Sequence, residues 1–153
     1  MYYNPEQVAK DILLQHWDNL LPVNPVIIAN RLGINVVYGK VMELSGYFDA
    51  ENQTIYIDEN DSLTKQRFTI AHEIGHAVLN HGSSPRTKIT YTQDNYYFKE
   101  FQANLFAAEL LMPLNILNYM VRETKLTIPE MANNFSVSLQ ALEIRLKRLG
   151  YAI

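Results

Sequence analysis

Apolar positions recur along this chain with two different spacings, and the changes from one to the other outline its elements. Residues 6–17 have the helical period. In "VNPVIIANRLG", Asn24 suits an N-cap, Pro25 the first helical position and Gly33 the stop, which predicts a short second helix. The runs "INVVYGKV" and "SGYFDAENQTIYID" are rich in β-branched and aromatic residues, and the polar "DAENQ" between two such stretches predicts a hairpin. Across residues 63–81 the period is helical again, with Asn60, Asp61 or Ser62 as cap and Gly82 past the end. Leu63, Ile70, Ala71, Ile74 and Val78 form one stripe of this helix and Phe68, His72, His76 and Leu79 another, so it should be buried on two sides. The segment "GSSPRTKITYTQDN" reads as a loop. Helices are expected over 96–112, ended by Pro113, and over 114–124. A final helical pair should be joined at Phe135–Ser138, with Ser138 capping the second member.

No repeat, low-complexity run or Gly/Ser linker divides the 153 residues. A single domain over 1–153 is therefore expected, with N-terminal helices in 1–33, a core in 34–113 and a helical C-terminal region in 114–153. The predicted fold class is α+β, with a small, mostly antiparallel sheet beside the histidine helix. A hydrophobic fraction of 48% is enough to build a core. The net charge of −3 gives no global reason to bind nucleic acid or an anionic membrane. No apolar run reaches the ~18 residues of a membrane span, and "MYYNPEQVAKD" lacks the features of a signal peptide, so a cytoplasmic location is expected. With no cysteine, metal ligands must come from His, Asp and Glu.

The chemistry centres on "AHEIGHAVLNHG". On a helix, residues four apart share a face, so His72 and His76 can present ring nitrogens to one ion. Glu73 is turned about 100° from His72, beside such an ion, where it can hold a water and take its proton. These are the roles in an HExxH motif. A catalytic zinc usually has three protein ligands and one open position. The form with a third histidine is excluded, because Leu79 and Gly82 occupy its Gly and His positions. Extending the helix through residue 81 turns His81 away from the pair, and it reads as a cation at the helix C-terminus; His16 reads as an ordinary surface or core-edge residue. Glu100 is the favoured third ligand and Asp94 the runner-up. Ala103, Asn104 and Ala107 share the face of Glu100, and their small size suits close approach of two helices. Asn104 can accept a hydrogen bond from the non-ligating N–H of His72, whereas Glu109, half a turn from Glu100, should face solvent.

Taken together, "SGYFDAENQTIYIDEN", "QRFTIAHEIGHAVLNH", "EFQANLFAAELLMP" and "MANNFSVSLQALEIRLKRLG" resemble the ImmA/IrrE metallopeptidases of phages, mobile elements and bacterial stress regulons. The resemblance implies a zincin-like fold, Zn2+ on His72, His76 and Glu100, and Glu73 as general base. Many relatives have an acidic residue where Gln102 stands here. The resemblance also implies an endopeptidase whose partner is a helix-turn-helix (Xre-type) repressor, cleaved to derepress phage, mobile-element or stress genes. Tyr91, Tyr96 and Tyr97 are candidate donors to an oxyanion, and the strands at 46–49 and 54–58 a candidate edge for an extended substrate.

Two other readings compete. The C-terminal helix pair, with Arg145, Lys147 and Arg148, offers the elements of a DNA-binding regulator, but Glu143 offsets part of that charge and Leu142, Leu146 and Leu149 form a core stripe. Direct nucleic-acid binding is not expected. The other reading is a non-cleaving regulatory or toxin–antitoxin binding partner, which would have no physical need for Glu73.

Overall fold

A computed structural model describes residues 4–40, 43–82 and 93–153, the side chains of 93–95 excepted. Among these residues lie seven helices and three strands, in the order α1 (Pro5–His16), α2 (Pro25–Arg31), β1 (Asn35–Gly39), β2 (Gly46–Asp49), β3 (Thr54–Asp58), α3 (Leu63–Val78), α4 (Gln93–Leu111), α5 (Leu114–Glu123), α6 (Ile128–Phe135) and α7 (Leu139–Arg148). The fold class is α+β, as expected.

Local chemistry sets the helix starts. Asn4 and Asn24 each accept two backbone N–H groups in front of a proline, Ser62 and Ser138 cap α3 and α7, and Thr127 forms a reciprocal capping box with Glu130. The hairpin turn is tied by Asp49, whose side chain accepts from the N–H groups of Glu51 and Asn52 at 3.1 and 3.3 Å. The sheet is mixed and has the order β1-β3-β2: β2 runs antiparallel to β3 with Asp49 opposite Thr54, while β1 runs parallel to β3 with Val36 opposite Ile55. β3 takes the centre because Ile55 and Ile57 are completely buried, whereas Val37 and Tyr38 of β1 are exposed. Of the two strands expected to offer an edge, β3 is therefore enclosed and only β2 is an outer strand.

The hairpin packs on α3, and α4 lies against both α3 and α1. Ala103, Phe106, Ala107, Leu110 and Leu111 of α4 are inaccessible, so this helix forms the centre of the core. Leu63, predicted as part of the buried stripe of α3, is instead 68% exposed, because it is the first residue of the helix and lies beyond its packed length. Arg67 anchors α3 to two distant segments. Its guanidinium donates to the carbonyls of Val23 at 2.6 Å, Ser136 at 3.2 Å and Phe135 at 3.4 Å. No helix among the described residues is long and apolar enough to cross a membrane.

Candidate metal centre

Helix α3 brings His72 and His76 onto one face, with their Nε2 atoms 3.1 Å apart. Glu100 reaches both from α4: one oxygen lies 3.4 Å from His72 Nε2 and the other contacts His76 Nε2 directly. The helices can approach this closely because Gly75 has no side chain. A Cβ there would lie 3.2 Å from the Ala103 Cα and 3.1 Å from the Phe106 ring. His72, Glu73 and His76 also each place a ligand-capable atom within 4.8 Å of the others.

This donor set suits a metal. Three atoms bound tetrahedrally at ~2.0–2.1 Å lie about 3.3 Å from one another, and the separations of 3.1 and 3.4 Å are of that size. The Nδ1 atoms of both rings are engaged elsewhere. His72 Nδ1 is 2.8 Å from Asn104 Oδ1, and His76 Nδ1 is 2.9 Å from His81 Nδ1. An amide oxygen can only accept, so His72 Nδ1 carries a proton and donates to Asn104, which leaves Nε2 as the nitrogen a metal could take in place of a proton.

The electrostatics are those of a compact anion–imidazole cluster. Burial disfavours the charged form of His72, but its hydrogen bond to Glu100 and the charges of Glu73 and Glu100 outweigh this and raise its pKa. Burial acts on Glu100 in the opposite sense, yet hydrogen bonds from His72 and His76 draw its pKa down to about 2. Tyr96 is half-buried, and burial, followed by the charges of Glu100, Tyr97 and Glu73, raises its pKa. Tyr97 is exposed. Tyr91 and the side chain of Asp94, the alternative ligand, lie outside the described residues.

Two sequence expectations are overturned. His81 does not face away as a C-terminal cation: it is 6% exposed, contacts His76, and its Nε2 is 2.9 Å from Gln102 Oε1. Burial, then the neighbouring His76, pushes its pKa down to about 4. The reason is local. Helix α3 stops at Val78, Asn80 takes the left-handed conformation (φ 59°), and the chain folds back so that the His81 N–H donates to the His76 carbonyl at 3.0 Å. The rotation of an unbroken helix therefore does not apply. The asparagine at position 80, a residue type that tolerates this conformation, was the available signal. Glu109 is not solvent-facing either. It is 2% exposed, accepts from Arg145 Nη2 at 2.7 Å and from the Leu114 N–H at 3.0 Å, because the far side of α4 is also covered. Arg145, 3% exposed and engaged there, is withdrawn from any phosphate-contacting face of α7. His16 is the last residue of α1.

Two imidazoles and a carboxylate thus meet on packed helices with a second glutamate alongside, a set of side chains that could hold a metal ion. Residues 29–147 match the model of the IrrE N-terminal-like domain (Peptidase_M78), and the chain belongs to this metallopeptidase family. It is 30% identical over 116 residues to "Uncharacterized immunity region protein 2" of Bacillus phage phi105, a match covering 71% of this chain and 70% of that protein. It is 29% identical over 118 residues to the radiation response metalloprotease IrrE of Deinococcus radiodurans, covering 73% of this chain and 36% of the relative. The corresponding protein of Deinococcus deserti is 30% identical over 115 residues, covering 69% of this chain and 40% of the relative. The chain thus spans well under half the length of the named metalloproteases. A Mycobacterium tuberculosis transcriptional regulator shares the fold, with a TM-score of 0.73 and 14% identity over 95% of this chain and 47% of that one.

Proposed function

We propose that the protein is a zinc-dependent endopeptidase, with His72, His76 and Glu100 as metal ligands, Glu73 as general base and Asn104 holding His72. The observation that carries this reading is the meeting of Glu100 with both Nε2 atoms, beside a buried Glu73. A bound zinc ion supplies Lewis-acid polarisation of the scissile carbonyl and of the attacking water. Glu73 accepts the proton of that water and returns it to the leaving amine. Asn104 accepts the Nδ1 proton of His72, which keeps that ring in the ligating tautomer. Tyr96, whose pKa Glu100 and Glu73 help to raise, is the candidate donor to the developing oxyanion.

The substrate we favour is a helix-turn-helix repressor, cut within the cytoplasm to release phage, mobile-element or stress genes. Membership of the IrrE-like family and the similarity to a phage immunity-region protein support this reading. The test is co-expression with candidate repressors, followed by mass measurement of their fragments and of bound metal. Glu73→Gln should retain one zinc per chain and lose about 10²–10⁴-fold in cleavage rate. Repressor inactivation that persists undiminished with Glu73→Gln would instead establish a non-cleaving binding partner.

A further inference from the structure

We propose that His81 and Gln102 form a hydrogen-bond relay that sets the tautomer of His76, making both of them positioning residues for the metal centre. The inference rests on the reading of His76 as a ligand and extends it outward by two residues.

The direction of the relay follows from which atoms can donate. Gln102 Oε1 lies 2.9 Å from His81 Nε2; an amide oxygen only accepts, so His81 carries its proton on Nε2. A neutral imidazole has one N–H, which leaves His81 Nδ1 as a lone pair. That lone pair is 2.9 Å from His76 Nδ1, which must therefore be the donor. The remaining nitrogen of His76, Nε2, is then the one the neutral ring leaves to an incoming ion; it lies 3.1 Å from His72 Nε2 and against the Glu100 carboxylate, which takes a hydrogen bond from it when it carries a proton. Each step has the length of a true hydrogen bond.

Helix α4 consequently supplies a candidate ligand and both terminal acceptors: Glu100 for the ion, Asn104 for the His72 ring, and Gln102 for the His76 ring by way of His81. The two arms differ in kind. His72 is held by one direct contact, whereas His76 depends on the left-handed turn at Asn80, which delivers His81. Gln102 also has an amide N–H, and turning its amide over would reverse every bond in the chain and put a proton on His76 Nε2. A carboxylate at 102 can only accept and would hold the metal-ready direction.

The experiment compares zinc affinity, by competition with a chromophoric chelator, in the parent, His81→Ala, Gln102→Leu, Gln102→Glu and His76→Ala. Thermal melts of the zinc-free proteins verify folding, and long-range ¹⁵N–¹H spectra of the imidazoles read the tautomers. His81→Ala and Gln102→Leu should weaken zinc binding about 10–100-fold, the usual cost of losing an outer contact to a ligating histidine. Gln102→Glu should bind at least as tightly as the parent. In zinc-free parent protein His76 should be protonated on Nδ1, and in Gln102→Leu it should be a mixture. Parent-like affinity in both His81→Ala and Gln102→Leu, with binding still lost in His76→Ala, would overturn the relay alone. Zinc binding indifferent to His76→Ala would overturn the ligand assignment and the relay together.

Discussion

Glu100 and Glu109 stand nine residues apart on α4, on opposite sides of the helix, and each meets nitrogen-bearing side chains from a neighbouring helix. Around Glu109 donors and acceptors are paired. One carboxylate oxygen takes Arg145 and the other the Leu114 N–H, while Arg145 also donates to the Met112 carbonyl at 2.9 Å and lies 3.9 Å from Glu6. Around Glu100 the partners are two imidazoles whose Nδ1 atoms are already held, so that both Nε2 atoms and the carboxylate converge on one point. A satisfied ion pair joins helices; two Nε2 atoms and a carboxylate gathered at one point are a donor set that a cation could take in place of protons. The contrast separates a structural cluster from the proposed metal-binding one without reference to any motif.

The sharpest way to break the comparison is to disrupt the satisfied cluster. Glu109→Ala or Arg145→Met leaves a buried charge without its partner and should cost about 3–5 kcal/mol in urea denaturation. Zinc affinity should not change in whatever fraction remains folded. Glu109→Leu with Arg145→Met should recover much of the loss, since replacing both charges by apolar groups is often neutral; a double variant as unstable as the worse single one would refute this account of the pair.

Glu100→Ala should show the converse pattern. Its zinc affinity should fall by more than the roughly 10–100-fold associated with an outer contact, while the metal-free protein loses less than the ~3–5 kcal/mol expected at Glu109. A large loss of apo stability with zinc retained would exchange the roles of the two clusters. Gly75→Ala tests the junction of the two helices. The added methyl gains helix propensity but crowds the Ala103 backbone, and we expect a net loss of about 1 kcal/mol with weakened zinc binding. The smallest effect is expected at Ser136, which ends α6 with φ 52° and lies outside both clusters. Ser136→Gly should raise stability by ~0.5–1 kcal/mol and leave zinc affinity unaltered.

What could be read from the sequence was what depends on near neighbours. Asn24 before Pro25, Ser62, Ser138 and the Asp49 turn act within four residues, and each lies where its chemistry indicated. The spacing of His72 and His76 belongs to the same class, as does the placement of Glu100 and Asn104 on one side of α4. What escaped depends on residues distant in sequence. The burial of Glu109 needs Arg145, 36 positions later, and the central place of β3 needs β1, which precedes the hairpin, to pair with it in parallel. His81 was misread for a third reason: a helical projection assumes that the helix continues, and here it ends three residues earlier.

That early ending makes the corner at residues 76–81 intolerant of insertions and deletions. Adding or removing a single residue between His76 and His81 would rotate the second ring out of reach of both Gln102 and its partner on α3, however conservative the inserted side chain. Functional copies of this protein should therefore vary in composition along this corner but not in its length.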